Sequence, residues 1–180
     1  MPITLICGPM FAGKTEKLIS FSENIEGKKT IIKYSEDKRY TELDELISHN
    51  GKIIRSSNSI NFIYSNVLQD IVIQNNIILL DEGQFFNDLY DFCLQHIEKQ
   101  IFIAGLDFDF KQEYFKPISD IIPICEVIHR IKGRCMKCDK LESKHSIRTI
   151  NNNELILIGT SMYIAVCDDC LISEKTIRNI

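Results

Sequence analysis

Apolar residues fall in short runs along this chain, separated by polar stretches that can be helical. Residues 3–7 (Ile3-Thr4-Leu5-Ile6-Cys7) read as a buried strand, and Leu18, Ile19 and Phe21 mark the apolar side of a helix that begins after Gly13. Residues 30–34 read as a second strand. Residues 35–62 are polar and lack a clear period, which predicts a long functional or mobile loop. The apolar positions Ile60, Ile63, Tyr64, Val67, Leu68 and Ile71 recur at helical spacing and predict a helix over 60–73. Residues 77–81 give a third strand. Asn87 is placed to cap a helix reaching about Lys99, with Leu89, Phe92, Cys93 and Ile97 facing the core. Residues 101–105 give a fourth strand and 124–131 a fifth.

Alternating strands and helices predict an α/β fold with a mostly parallel sheet covered on both faces. Such sheets bind ligands at the C-terminal ends of their strands. That edge would gather the segments after Cys7, Tyr34, Leu80 and Gly105. The character changes after Lys132, which predicts a main domain over 1–132 and a small cysteine-bearing domain over 133–180. Within the latter, 151–153 reads as a hairpin or loop tip and 155–158 as a short apolar run.

Composition narrows the function classes. Of 180 residues, 44% are hydrophobic and 26% charged, ordinary for a globular protein. A net charge of −4 argues against a general attraction to nucleic acid or anionic membrane. No apolar stretch approaches the ~18 residues of a membrane span. A strand starting at Ile3 leaves no room for a signal or transit peptide, so a cytoplasmic protein is expected. Seven cysteines in a reducing compartment favour metal binding over disulfides.

The most specific chemistry lies near the start. Gly8-Pro9-Met10-Phe11-Ala12-Gly13-Lys14-Thr15 fits G-x-x-x-x-G-K-[ST], between a strand and a helix. Backbone N–H groups of such a loop converge on phosphate oxygens, and the helix N-terminus points at the same anion. Lys14 would reach the outer phosphates and Thr15 would ligate Mg²⁺. Asp81, ending an apolar strand, can hold the same Mg²⁺. Glu82 follows it over the phosphate crevice. There a carboxylate can accept a proton from a hydroxyl or water, cap a following helix or ligate the metal, and placement alone does not separate these roles.

Cys135/Cys138 and Cys167/Cys170 form two C-x-x-C pairs that can build a closed four-thiolate zinc site, structural because no coordination position stays open. The 28 residues between the pairs exceed the usual ~15–20, so a loop would project from the zinc unit. A redox dithiol would need a thioredoxin-like setting, which is absent. Cys7, Cys93 and Cys125 lie in apolar runs and read as core. His96 and His129 read as structural, whereas His145 lies in the zinc segment and can support its ligands. Phe108, Phe110, Tyr114 and Phe115 follow the fourth strand, where one ring can stack on a base or sugar.

Together these motifs resemble the thymidine kinases of the zinc-containing, P-loop class (type II), over nearly the whole chain. Residues 8–15 look like that family's GPMFxGK[ST] loop, and Asp81-Glu82-Gly83-Gln84-Phe85-Phe86 is identical to its DEGQFF. Residues 33–40 resemble KYxxDxRY, Ser48-His49-Asn50-Gly51 is close to THDG, and Leu106-Asp107-Phe108-Asp109-Phe110 matches LDxxF. The resemblance implies a P-loop NTPase-like sheet flanked by helices, with a small zinc-ribbon and lasso domain. It implies phosphoryl transfer from ATP, with Mg²⁺, to the 5′-hydroxyl of thymidine, making thymidine monophosphate in nucleotide salvage. Glu82 is then the catalytic base. Asp37 and Arg39 join residues 8–15 and Asp81 around the nucleotide. Phe110 stacks on the pyrimidine, Met10, Leu106, Ser146 and Tyr163 lie near its 5-methyl group, and a lasso including Leu155, Leu157, Ile158 and Gly159 holds the base. A homotetramer and inhibition by thymidine triphosphate are implied as well.

Four departures stand out. Phe110-Lys111-Gln112-Glu113-Tyr114-Phe115 replaces F-Q-R-K-P-F, Asn50 replaces Asp, the lasso is one residue shorter, and Ser146 replaces a frequent Thr. Two other classes fit parts of the pattern. One is a P-loop NTPase coupled to a partner, with Glu82 activating water. The other is a zinc-ribbon nucleic-acid module, disfavoured by only eight Lys/Arg against six Asp/Glu from Lys132 to Ile180.

Overall fold

The computed structural model describes residues 2–37, 44–150, 154 and 161–178. In chain order its regular elements begin with β1 (Ile3–Cys7), α1 (Lys14–Asn24), β2 (Lys29–Tyr34), β3 (Glu45–Ile47), β4 (Ile53–Arg55) and β5 (Ile60–Ser65). They continue with β6 (Ile77–Leu80), a 3₁₀ turn (Gly83–Phe85), α2 (Leu89–Gln95), β7 (Gln100–Gly105) and α3 (Lys116–Ile121). The last are β8 (Val127–Arg130), β9 (His145–Arg148), β10 (Tyr163–Val166) and α4 (Asp168–Arg178).

Six strands form one parallel sheet in the order β5-β2-β6-β7-β1-β8. Of the four interior strands, β1, β6 and β7 bury Ile, Leu, Phe and Ala on both faces, as strands covered on both sides must. One face packs Leu5, Ile78, Leu80, Ile101 and Ile103 against Phe86, Leu89, Phe92 and Ile118 from the segments around α2 and α3. The other packs Ile6, Ile31, Leu79 and Phe102 against Leu18 and Ile19 of α1. The parallel α/β architecture expected from the sequence is therefore present. A separate apolar cluster of Cys135, Ile147, Val166 and Cys167 lies around the antiparallel β9–β10 pair.

Several local expectations are corrected. Residues 60–73 do not begin as a helix. Ile60–Ser65 is a strand that pairs with β2 from Lys29↔Ile60 to Tyr34↔Ser65 and buries Phe62. Pairing along β2 satisfies the backbone and overrides the helical spacing. The polar stretch after Asp44 folds into the β3–β4 hairpin, which buries Leu46 beside α1. The helix expected from Asn87 starts at Leu89 with Asp88 as its flanking residue. The Asp88 carboxylate accepts the N–H groups of Leu68 and Gln69 at 2.7 and 2.9 Å, fastening the segment after β5 instead of capping α2. That helix ends at Gln95, and Ile97 beyond it is 47% exposed rather than in the core. No helix among the described residues is long and apolar enough to cross a membrane.

Candidate active site

The loop after β1 is shaped by a close approach. A Cβ on Gly8 would lie 2.3 Å from the carbonyl oxygen of Ile131, just past β8, so only glycine lets the strand turn there. Residues 9–13 lead into α1. Lys14 Nζ donates to the Pro9 carbonyl at 2.7 Å within the loop. Thr15 Oγ1 lies 3.3 and 3.2 Å from the two carboxylate oxygens of Asp81. Asp81 comes from the end of β6, with β7 between that strand and β1. The Asp81 N–H donates to the Ile32 carbonyl at 3.0 Å, which fixes where its side chain starts. A hydroxyl and a carboxylate this close, at the mouth of a phosphate loop, are the hard oxygen donors that suit Mg²⁺. The β3–β4 hairpin reaches the same place. His49 packs edge-on against Phe11 at 5.3 Å between ring centres, and Asn50 Nδ2 donates to Glu16 of α1 at 2.7 Å.

Glu82 directly follows Asp81 with a left-handed backbone (φ 56°), which turns the chain sharply into the 3₁₀ turn. Its carboxylate accepts a hydrogen bond from Gln84 Nε2 at 2.6 Å. Gln84 Oε1 in turn accepts the N–H of Leu106 at 2.9 Å, on the first residue past β7. Asp37, half-buried, lies just past β2 in a turn closed on the Tyr34 carbonyl. Arg39 lies outside the described residues, as do Leu155, Leu157, Ile158 and Gly159.

Leu106 and Phe110 are half-buried on the segment after β7, and Tyr163 starts β10. Phe110 and Tyr163 meet around Arg148, a residue with no sequence signal beyond its charge. The buried Arg148 guanidinium lies 3.7 Å from the centre of the Phe110 ring, and its Nη2 donates to the Tyr163 hydroxyl at 2.6 Å. One face of Phe110 is thus covered by a cation. The other aromatic residues divide as a structural cluster would. Phe108 and Tyr114 pack with tilted rings 4.3 Å apart, and Phe115 packs on the core.

The cysteine segment is tied to the phosphate loop. The Met10 N–H donates to Ser146 Oγ at 2.9 Å, and Gln112 Nε2 donates to the Ser146 carbonyl at 3.2 Å. His145 bridges Gln112 Oε1 (Nδ1, 2.6 Å) and Asp168 Oδ1 (Nε2, 2.7 Å). Hydrogen bonds from Lys144 and His145 hold the Asp168 carboxyl down at about 2.

The ligand atoms of Cys135, Cys138, Cys167 and Cys170 all lie within 4.8 Å of one another, and the Cys138 and Cys167 sulfurs are 3.6 Å apart. Sulfurs ~2.3 Å from a tetrahedral zinc are about 3.8 Å from each other, so these four could hold that ion. Burial at Cys135 is outweighed by backbone N–H groups, which bring its thiol to about 6, while burial and the neighbouring thiols push Cys170 up to about 12, so Cys135 is the first of the four to carry the thiolate charge. Cys7, Cys93 and Cys125 differ: burial raises them to about 11, 12 and 11, as expected of inert packing thiols. Burial also lowers His96 and His129, consistent with structural roles.

Similarity to known proteins agrees with this geometry. The thymidine kinase family model matches residues 1–171. The thymidine kinase of Raccoon poxvirus is 36% identical over 179 residues, covering 96% of this chain and 97% of that protein. That of African swine fever virus (isolate Pig/Kenya/KEN-50/1950) is 36% identical over 176 residues, covering 94% and 93%. A bacterial relative, the thymidine kinase of Bacteroides thetaiotaomicron, is 34% identical over 185 residues, covering 96% and 88%. A phosphate loop facing a strand-end aspartate, an acid beside it and a cysteine-bearing segment hydrogen-bonded to the loop through Ser146 are thus found in a chain that belongs to the thymidine kinase family.

Proposed function

We propose that this protein transfers the γ-phosphoryl group of ATP to the 5′-hydroxyl of thymidine. The observation that carries the reading is the meeting of Thr15 with Asp81 at the phosphate loop, with Glu82 next in the chain. Residues 8–15 bind the phosphates through backbone N–H groups, and Lys14 exchanges the Pro9 carbonyl for phosphate oxygens. Thr15 and Asp81 would hold Mg²⁺, which when bound neutralises charge building on the phosphates.

Glu82 orients the 5′-hydroxyl and takes its proton as the new O–P bond forms, while the bond from the γ-phosphorus to the β-γ bridging oxygen breaks and ADP leaves. This chemistry is mostly positioning and electrostatics, so a base of ordinary strength suffices. Phe110, backed by Arg148, stacks on the pyrimidine, with Met10, Leu106, Ser146 and Tyr163 around its 5-methyl group. Asp37 and Arg39 belong to the nucleotide site in this reading, and the lasso through Leu155, Leu157, Ile158 and Gly159 holds the base edge. Cys135, Cys138, Cys167 and Cys170 bind a structural Zn²⁺ that supports the segment 133–180 as a nucleoside-holding unit beside a nucleotide-binding unit of 1–132. A cytoplasmic homotetramer inhibited by thymidine triphosphate rests on the family resemblance.

The test is ATP consumption with each nucleoside in turn. Turnover that requires thymidine is expected, and equal turnover without nucleoside would instead identify a P-loop NTPase.

A further inference from the structure

We propose that Gln84 is a positioning residue that holds the Glu82 carboxylate against the nucleoside wall. The inference rests on the reading of Glu82 as the base. Gln84 is 3% exposed, and both ends of its amide are used: Nε2 donates to Glu82 Oε2 at 2.6 Å and Oε1 accepts the Leu106 N–H at 2.9 Å. The amide therefore ties the base at the end of β6 to the backbone of Leu106 at the end of β7, where the pocket wall begins.

The surroundings fix this strut. A Cβ on Gly105 would lie 3.0 Å from Gln84 Oε1 and 2.6 Å from Ile118 Cδ1, so glycine there makes room for the amide to approach the strand end. Gly83 is equally tight, because its Cβ would lie 2.7 Å from Ile103 Cγ2, which presses the 3₁₀ turn onto β7. Phe86, fully buried, anchors the far side of the turn.

An amide is suited to the task. It donates a hydrogen bond to a carboxylate oxygen without bringing a charge to the crevice. The left-handed backbone at Glu82 points a long side chain over the crevice, and a side chain with this many rotors loses effective position unless something restrains it.

The experiment compares steady-state kinetics of Gln84→Leu and Gln84→Glu with wild type and with Glu82→Gln. Gln84→Glu keeps the volume and the acceptor for Leu106 but replaces the donor to Glu82 with a second carboxyl, which either repels the Glu82 carboxylate or shares a proton with it. Both Gln84 variants should lower kcat by about 10²-fold, the scale of a misplaced reacting group, with KM for thymidine and ATP within roughly threefold of wild type. Gln84→Leu added to Glu82→Gln should cost no further activity, because the strut then has no base to hold.

Wild-type kcat in both Gln84 variants, or losses that multiply in the double variant, overturns the proposal. If Gln84→Leu fails to fold, Gln84→Glu decides. If neither folds, Gln84 is a structural residue and the proposal is wrong. Near wild-type turnover in Glu82→Gln would instead overturn the base assignment itself, so the two failures are distinguishable.

Discussion

Ser146 offers a sharp test of how the cysteine segment is joined to the phosphate loop. The residue is 3% exposed, and its hydroxyl accepts the Met10 N–H at 2.9 Å, across 136 positions of sequence. Ser146→Ala deletes the acceptor and strands the donor. A buried donor left unsatisfied costs ~1–3 kcal/mol, and the half-exposed Met10 puts this case at the lower end, about 1–1.5 kcal/mol. For a chain of this size 1 kcal/mol moves the melting temperature by ~2–4 °C, so a fall of about 2–6 °C is expected. Thermal unfolding followed by circular dichroism, with ATP affinity measured alongside, gives the readout, and affinity should weaken because Met10 belongs to the loop. Ser146→Thr keeps the hydroxyl and should preserve most of this stability. It adds one methyl group beside the proposed 5-methyl pocket, worth roughly 1 kcal/mol of contact or crowding. In a series of deoxyuridines bearing hydrogen, methyl, ethyl or bromovinyl at position 5, Ser146→Thr should penalise the larger groups selectively. If Ser146→Ala melts within about 1 °C of wild type, the hydrogen bond does not join the two parts as argued. An unchanged substituent ranking in Ser146→Thr would remove Ser146 from the pocket.

Three further outcomes are expected. Glu82→Gln should bind ATP and thymidine normally yet turn over at least ~10²-fold more slowly in single-turnover assays, and a near wild-type rate would exclude it as the base. Elemental analysis should find a single zinc per chain, and chelation should weaken thymidine binding before the main sheet unfolds, since the thiol cluster and the sheet lie in different apolar clusters; metal-free active protein would refute this. Cys93 is fully buried and lifted from 9.0 to about 12 by burial and the nearby Cys125 thiol. Above pH 9 its unfolded form loses a proton that the folded form keeps, so the stability present below pH 9 is lost progressively as pH rises toward 12. That slope is ~1.4 kcal/mol per pH unit, or roughly 2 kcal/mol between pH 8 and 10.5. Urea titrations of Cys93→Ala should show a shallower alkaline loss than wild type, and parallel curves would contradict the argument.

The bond network around Ser146 also bears on the departures from the family pattern. Gln112, in the altered segment after Phe110, donates to the Ser146 carbonyl and accepts from His145, so this chain braces β9 with a neutral amide. His145 passes the connection to Asp168, the residue after Cys167. The cysteine cluster, β9 and the phosphate loop are therefore linked by polar contacts as well as by chain connectivity.

The sequence by itself determined the parts whose physics is local. The turn after β1 needs Gly8, phosphate binding needs a loop running into a helix, and C-x-x-C places two thiols within one turn. Short apolar runs such as 3–7, 77–80 and 101–105, repeated between helical stretches, point to buried strands in a sheet covered on both faces. What the sequence left open depended on partners far along the chain. Residues 60–65 satisfy both a helical and an extended pattern, and β2 decided between them by offering a full set of backbone partners. Asn87 reads as the cap of the next helix, but that helix starts at Leu89, and the carboxylate of its flanking Asp88 takes the N–H groups of Leu68 and Gln69. Arg148 has no local signature, and the motif that contains Gln84 does not say what its amide holds. A guanidinium against Phe110, and an amide spanning the ends of β6 and β7, exist only once the fold brings those segments together. A short window of chain carries steric and burial preferences, whereas the direction of a buried polar side chain is fixed by whichever distant group completes its hydrogen bonds.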